Sequence, residues 1–164
     1  MGARALIPVC LLGLAMTAFP QSARVQKDIA KHQAEYASET DTVRRAKIVA
    51  KLGQAESKAA QQSVDIGNFV EALDFMKDYD EKASETDRAL DKTGVNPESH
   101  SNGFRQLQIS VRENLRTVRQ IANRAAFDQR QPFLDLAKHL DALNQKLLGE
   151  LFPRRPHAAS EEKQ

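Results

Sequence analysis

Tryptophan is missing from this 164-residue chain, cysteine occurs once, and aromatic residues make up only 5% of it. A single cysteine excludes an internal disulfide and any zinc site built on thiolates. The seven glycines are scattered, so no Gly-rich phosphate-cradling loop is present, and no Gly-x-Ser-x-Gly elbow holds a nucleophile. Neither sign of charge dominates: 24 Lys and Arg face 22 Asp and Glu, for a net charge of +2. That balance, with no aromatics interleaved among the basic residues, argues against nucleic acid as a partner. Of the four histidines, His32, His100, His139 and His157, none stands three or four positions from another. A helical histidine pair for a metal is therefore excluded. No segment alternates apolar and polar residues as a half-buried strand would.

What is present is a globular composition, 41% apolar and 28% charged, in a length that suits one compact domain or two small ones. The start of the chain differs from the rest. Arg4 is followed by an uncharged, mostly apolar run from Leu6 to Met16, then by the small and polar residues Thr17 to Ala23. This order matches a secretory signal peptide over residues 1–23, with cleavage after Ala18 or Ala23. The run ends by Phe19, short of the ~20 residues that span a bilayer. An uncleaved N-terminal membrane anchor is the alternative. Cys10 lies inside the apolar run after Ile7, Pro8 and Val9, which does not suit lipidation. The expected mature chain is thiol-free and exported, periplasmic or extracellular, and must be stabilised by a hydrophobic core alone.

From residue 24 to 152 apolar residues recur at helical spacing, which predicts an all-α domain of five helices. The first covers Arg24 to Ser38, with Val25, Ile29, His32 and Tyr36 on one face. Thr40 and Asp41 can cap a second helix from Thr42 to Ile66, whose stripe is Ile48, Leu52, Ala55, Ala59 and Ile66. Gly53, Ala60 and Ser63 make that helix small-faced. After the break at Gly67-Asn68, a third helix to Lys92 carries the larger Phe69, Leu73, Met76, Tyr79, Ala83 and Leu90. Large against small is what a close antiparallel hairpin needs. The turn-rich segment 93–103 precedes a fourth helix, 102–125, striped by Phe104, Leu107, Val111, Leu115, Val118, Ile121 and Ala122. Pro132 fits the first turn of a fifth, with Phe133, Leu136, Leu140, Leu143, Leu147 and Leu151 near a heptad rhythm. Pro153 ends it, and residues 153–164 read as a disordered polar tail. Long helices with short turns give an up-down bundle or elongated hairpins.

Gly67-Asn-Phe-Val-Glu-Ala-Leu73 resembles the inter-helix turn and second-helix start of a tetratricopeptide repeat, and Ala60 and Ala72 fall where that repeat wants small residues. The resemblance covers about residues 53–86. Glu56 and Ser63 stand where the family prefers aromatics, Ser84 where it closes with proline, and no second copy follows. It implies a protein-binding scaffold rather than a catalyst.

Two charged rows remain. Asp74, Asp78, Glu81 and Glu85 fall within about 60° of one another at 100° per residue, a face opposite the apolar stripe of the third helix. Such a row can meet a cation or a basic partner, or serve as a solvated outer face, which is the reading adopted. The stretch around Asp78 and Asp80 lacks the glycine and the closing glutamate of a calcium loop. Arg105, Arg112, Arg116 and Arg119 form a row along the fourth helix, suited to an acidic partner or lipid headgroups or to pairing within the molecule or at its solvated surface, which is the reading adopted. Ser99-His100-Ser101 is adjacent in sequence, where neighbouring side chains are expected to point apart. His139 is expected to be a partly buried structural residue.

These features predict a non-enzymatic exported helical protein with no cofactor and no metal. It would work by contact with another envelope protein through the arginine row or the groove beside the second and third helices. The alternatives are a small periplasmic stress chaperone or cation-responsive protein, and a membrane-tethered structural protein that touches the membrane only through an uncleaved N-terminus.

Overall fold

The computed structural model describes residues 20–153. They form five α-helices: α1 Pro20–Ser38, α2 Thr42–Asp65, α3 Phe69–Asp91, α4 Asn102–Arg124 and α5 Phe127–Leu151. No strand occurs among the described residues. The expected leader, residues 1–23, lies outside the described residues except for its last four, 20–23, which lie within α1. The expected polar tail beyond Pro153 lies outside them as well.

Local chemistry sets the helix ends. Asp41 caps α2, its carboxylate accepting from the Arg44 backbone N–H at 2.7 Å. At the other end of α2, Gly67 adopts φ +80°. The Gly67 N–H reaches the Val64 carbonyl at 3.0 Å and the Asn68 N–H the Ser63 carbonyl at 2.8 Å, the paired bonds of a Schellman stop. Nothing lies within 4 Å of a Cβ built at Gly67, so glycine is required there by the backbone angle alone. Asn68 then caps α3 through the Glu71 N–H, and Glu71 in turn accepts from Ser63 Oγ at 2.7 Å. One three-residue turn therefore closes α2, opens α3 and fixes their pairing.

Helices α2 to α5 run alternately up and down. Helix α2 packs on α3 and α4, α4 on α5, and α3 crosses to both α4 and α5. Their shared core includes Val49, Met76, Leu107, Val111, Phe133 and Leu140, all buried. Gly53 is the closest approach in this core. A Cβ there would stand 2.5 Å from Tyr79 Cε2 and 2.6 Å from Asn114 Nδ2, so α2 needs glycine where α3 and α4 press on it. The expected large-against-small seam is thus real, with the fully buried Tyr79 ring filling the gap and its hydroxyl bonded to Ser110 Oγ at 2.8 Å.

Helix α1 is added to the side of this bundle. Its backbone packs on α2 alone. Val25 and Ile29 form a small separate core with Leu52 and Ala59, while Tyr36 reaches past α2 to bond Thr86 of α3 at 3.1 Å. The chain's own first helix thus borders one side of the groove beside the second and third helices, with Gln33 and Tyr36 reaching Asp78 and Thr86 of α3.

Two sequence expectations shift. Helix α5 begins at Phe127, so Pro132 lies in its interior rather than in its first turn. The cost is one backbone bond, to the Asp128 carbonyl. Arg130 donates from Nε to the Ala122 carbonyl and from Nη2 to the Ala125 carbonyl, which ties the start of α5 to the end of α4. Ile66, expected on the α2 stripe, is 77% exposed because α2 stops one residue before it.

Candidate functional site

The arginine row stands where the helical spacing put it. Helix α4 turns its apolar side toward α2, α3 and α5, and Phe104, Leu107, Val111, Leu115, Val118, Ile121 and Ala122 are all buried. Arg105, Arg112 and Arg116 face solvent, and Arg112 and Arg116 make no ion pair among the described residues. Arg119 Nη2 lies 3.3 Å from Asp141 Oδ1 on α5, an exposed pair of little energetic weight. At 1.5 Å per residue the row is about 21 Å long, with three guanidinium groups open to a partner.

The acidic row is divided by the neighbouring helices. Asp74 and Glu81 are exposed without an ion pair among the described residues. Asp78 accepts from Gln33 Nε2 of α1 at 3.0 Å, and Glu85 pairs with Arg45 of α2 at 2.9 Å. The same Arg45 guanidinium stacks 4.2 Å from the centre of the Tyr36 ring. Burial alone would push Glu85 up, but its hydrogen bond to Arg45 and the charge there hold it below the usual carboxylate range. Asp78 and Glu85 thus remain partly exposed while they tie α3 to α1 and α2, and Asp74 and Glu81 are open to solvent.

The residue that sequence reasoning missed is Glu56. It sits on α2 between Leu52 and Ala60, is fully buried, and neither carboxylate oxygen accepts a hydrogen bond, so that the nearby Asp78 carboxylate can be bonded only by a protonated Glu56. Removal from water, and then the neighbouring carboxylate of Asp78, push its pKa up to about 10, against a weaker opposing pull from Lys82. Glu56 is thus a neutral acid at pH 7. A glutamate at a core register of α2, four residues from Leu52 and from Ala60, was the available signal.

A second acidic group gathers Asp87, Asp91 and Glu150, with one ligand atom of each lying within 4.8 Å of the others. Lys146 Nζ occupies the middle of it, 2.6 Å from Asp87, 2.6 Å from Asp91 and 3.4 Å from Glu150. Desolvation acts to lower the lysine pKa, but its bonds to Asp87 and Asp91 raise it. The carboxylates therefore already hold a cation supplied by the chain itself.

The histidines are placed differently from expectation. His139 is exposed on α5, and its Nδ1 meets both oxygens of Asp80 at 2.8 Å, so it bridges α3 and α5 at the surface rather than packing inside. Ser99 Oγ and His100 Nδ1 do meet, at 3.0 Å, contrary to the expectation that adjacent side chains diverge. The turn 96–100 folds back on itself, with the His100 N–H bonded to the Asn96 carbonyl, which brings the two together. Both are exposed. They line an open cleft with Val43, Leu90, Val95 and Phe104 at the start of α4.

No protein family, curated protein or solved structure matches the chain.

Proposed function

We propose that the protein is a non-catalytic binding module, exported to the cell envelope, that engages an acidic face of another envelope protein through the arginine side of α4. The observation that carries this reading is the exposed row Arg105, Arg112 and Arg116. Four other basic side chains at the helix seams are spent within the molecule: Arg45 on Glu85, Arg124 on Asp65, Arg130 on backbone carbonyls and Lys146 on three carboxylates. Guanidinium groups on successive turns match carboxylates at similar spacing on a partner helix, and Arg binds carboxylate in a bidentate fork.

A binding role is also supported by how the remaining polar groups are used. The buried pairs Gln108–Asn144 and Tyr79–Ser110 join helices to one another. The deep core of α2 to α5 is filled by side chains, which suits a rigid platform for an outward-facing surface.

The test is affinity capture from an envelope extract with the wild-type chain and with an Arg112→Glu/Arg116→Glu variant. The expected result is a defined partner that binds the wild type, weakens with added salt and is lost from the variant. Both substitutions are at exposed positions, so the circular-dichroism melting curve should stay within about 0.5 kcal/mol of wild-type stability. The same proteins captured by both chains would contradict the reading.

A further inference from the structure

Three helices meet at one buried corner, and the group they enclose there is an acid. On α2, Leu52, Glu56 and Ala59 fall within about 60° of one another at 100° per residue. Leu52 and Ala59 pack with Val25 and Ile29 of α1 in the small separate core. Glu56 stands between them at 0% exposure. From α3, Asp78 lies within bonding reach of the Glu56 carboxyl, and its Oδ2 also accepts from Gln33 Nε2 of α1 at 3.0 Å. Glu56, Asp78 and Gln33 thus join α2, α3 and α1 in one chain of polar contacts.

That chain needs a proton. Neither oxygen of Glu56 accepts a hydrogen bond, so Glu56 joins Asp78 only as a donor, in its neutral form. Ionised, it would set two carboxylates side by side in a site closed to solvent, with Lys82 of α3 as the nearby cation. Tyr79 of α3 also feels this charge, and α4 meets its hydroxyl with the uncharged Ser110 and Asn114. On α1 the titratable group of the inward stripe is His32, half-buried and bonded to Glu35 of its own helix at 3.0 Å, while Lys27, Asp28 and Lys31 are exposed. Helix α1 is the element that can yield. It hangs on the three-residue connection Glu39 to Asp41 and packs its backbone on α2 alone, whereas α3 packs on α2, α4 and α5.

We propose that Glu56 makes α1 a protonation-gated cover: the helix lies down over the neutral acid, and loss of the proton favours a state in which α1 has lifted about the Glu39–Asp41 connection while α2 to α5 stay folded. Lifting α1 breaks the Gln33–Asp78 bond, uncovers Leu52 and Ala59, and opens the corner so that water solvates both carboxylates. The direction follows from linkage. With α1 down, burial and Asp78 push the Glu56 acid up to about 10 from an ordinary value of 4.5. Lifting therefore releases a proton between those limits, and its equilibrium constant grows by up to about tenfold per pH unit as pH rises. The inference is independent of the arginine face of α4 and of whatever that face binds.

Amide hydrogen exchange of the full-length chain between pH 6 and pH 8 tests it, with rates corrected for intrinsic exchange and read where they report the opening equilibrium. For amides from Val25 to Tyr36, the expected opening constant exceeds that of α4 throughout and rises roughly 10- to 100-fold over those two units. Glu56→Gln, whose amide donates to Asp78 as the protonated acid does, should abolish the rise and hold α1 down at pH 8. An opening of α1 that does not change with pH would overturn the proposal. So would a rise that persists in Glu56→Gln, which would assign it to His32. Exchange of α1 and α4 in a single global event would overturn it too, because Glu56 would then stay sealed until the whole bundle unfolds. The wild-type slope settles the first and third outcomes even if the variant fails to fold.

Discussion

At the scale of single residues, Glu56 is the most consequential side chain in the molecule. A buried glutamate whose pKa is raised to about 10 binds its proton more tightly folded than unfolded. Its contribution is favourable below the unfolded value near 4.5 and erodes as pH rises from there toward 10. Each pH unit in that window removes up to about 1.4 kcal/mol. Glu56→Gln should therefore stabilise the protein increasingly between pH 5 and pH 9, as seen in urea unfolding at each pH, whereas a difference independent of pH would show that Glu56 is not held neutral. Gly53 has the opposite character. Gly53→Ala gains roughly 0.5–1 kcal/mol of helix propensity but places a methyl against Tyr79 and Asn114, so a net loss of about 1–3 kcal/mol is expected in the same assay.

At the scale of elements, α1 differs from the rest. It is joined to α2 by the three residues Glu39 to Asp41, packs its backbone on α2 alone and reaches α3 only through long side chains such as Gln33 and Tyr36. Helix α4 contacts three other helices. Amide exchange should accordingly be faster along α1 than along α4, and Ile29→Ala should speed α1 further while leaving α4 protection largely unchanged. Uniform protection across both helices would contradict this division. Tyr36→Phe removes the hydroxyl that bonds fully buried Thr86, and a loss of about 1 kcal/mol in global or α1-local stability is expected.

Much of this element-level organisation was legible in the sequence, for identifiable reasons. Asp41, Gly67 and Asn68 punctuate the chain through their own backbone chemistry, and the stripes of α4 and α5 hold every residue at 3.6-residue spacing, so burial followed from periodicity. The start of α5 was not legible, because the contact that ties it down comes from Arg130 reaching back to α4. The fate of the acidic row was hidden for a similar reason: Asp78 and Glu85 find their partners on α1 and α2, at sequence distances of 45 and 40 residues. Glu56 was read as a departure from a repeat pattern, and its state depends on Asp78 and Lys82 of α3, which its own helix does not reveal.

At the scale of the whole molecule, the charges sort by location. Pairs such as Arg45–Glu85, Asp80–His139 and the Lys146 cluster tie one helix to another, while Arg105, Arg112 and Arg116 of α4 are exposed to solvent. The proposed binding role requires that this side receive an acidic partner. Its most direct measurement is photo-crosslinking in living cells from a photoreactive residue at position 109, between Arg105 and Arg112, beside the same probe at position 34 on the exposed side of α1. One discrete adduct from position 109, absent from position 34 and abolished by Arg112→Glu/Arg116→Glu, is the predicted result; no adduct from 109, or the same adduct from both positions, would contradict the account.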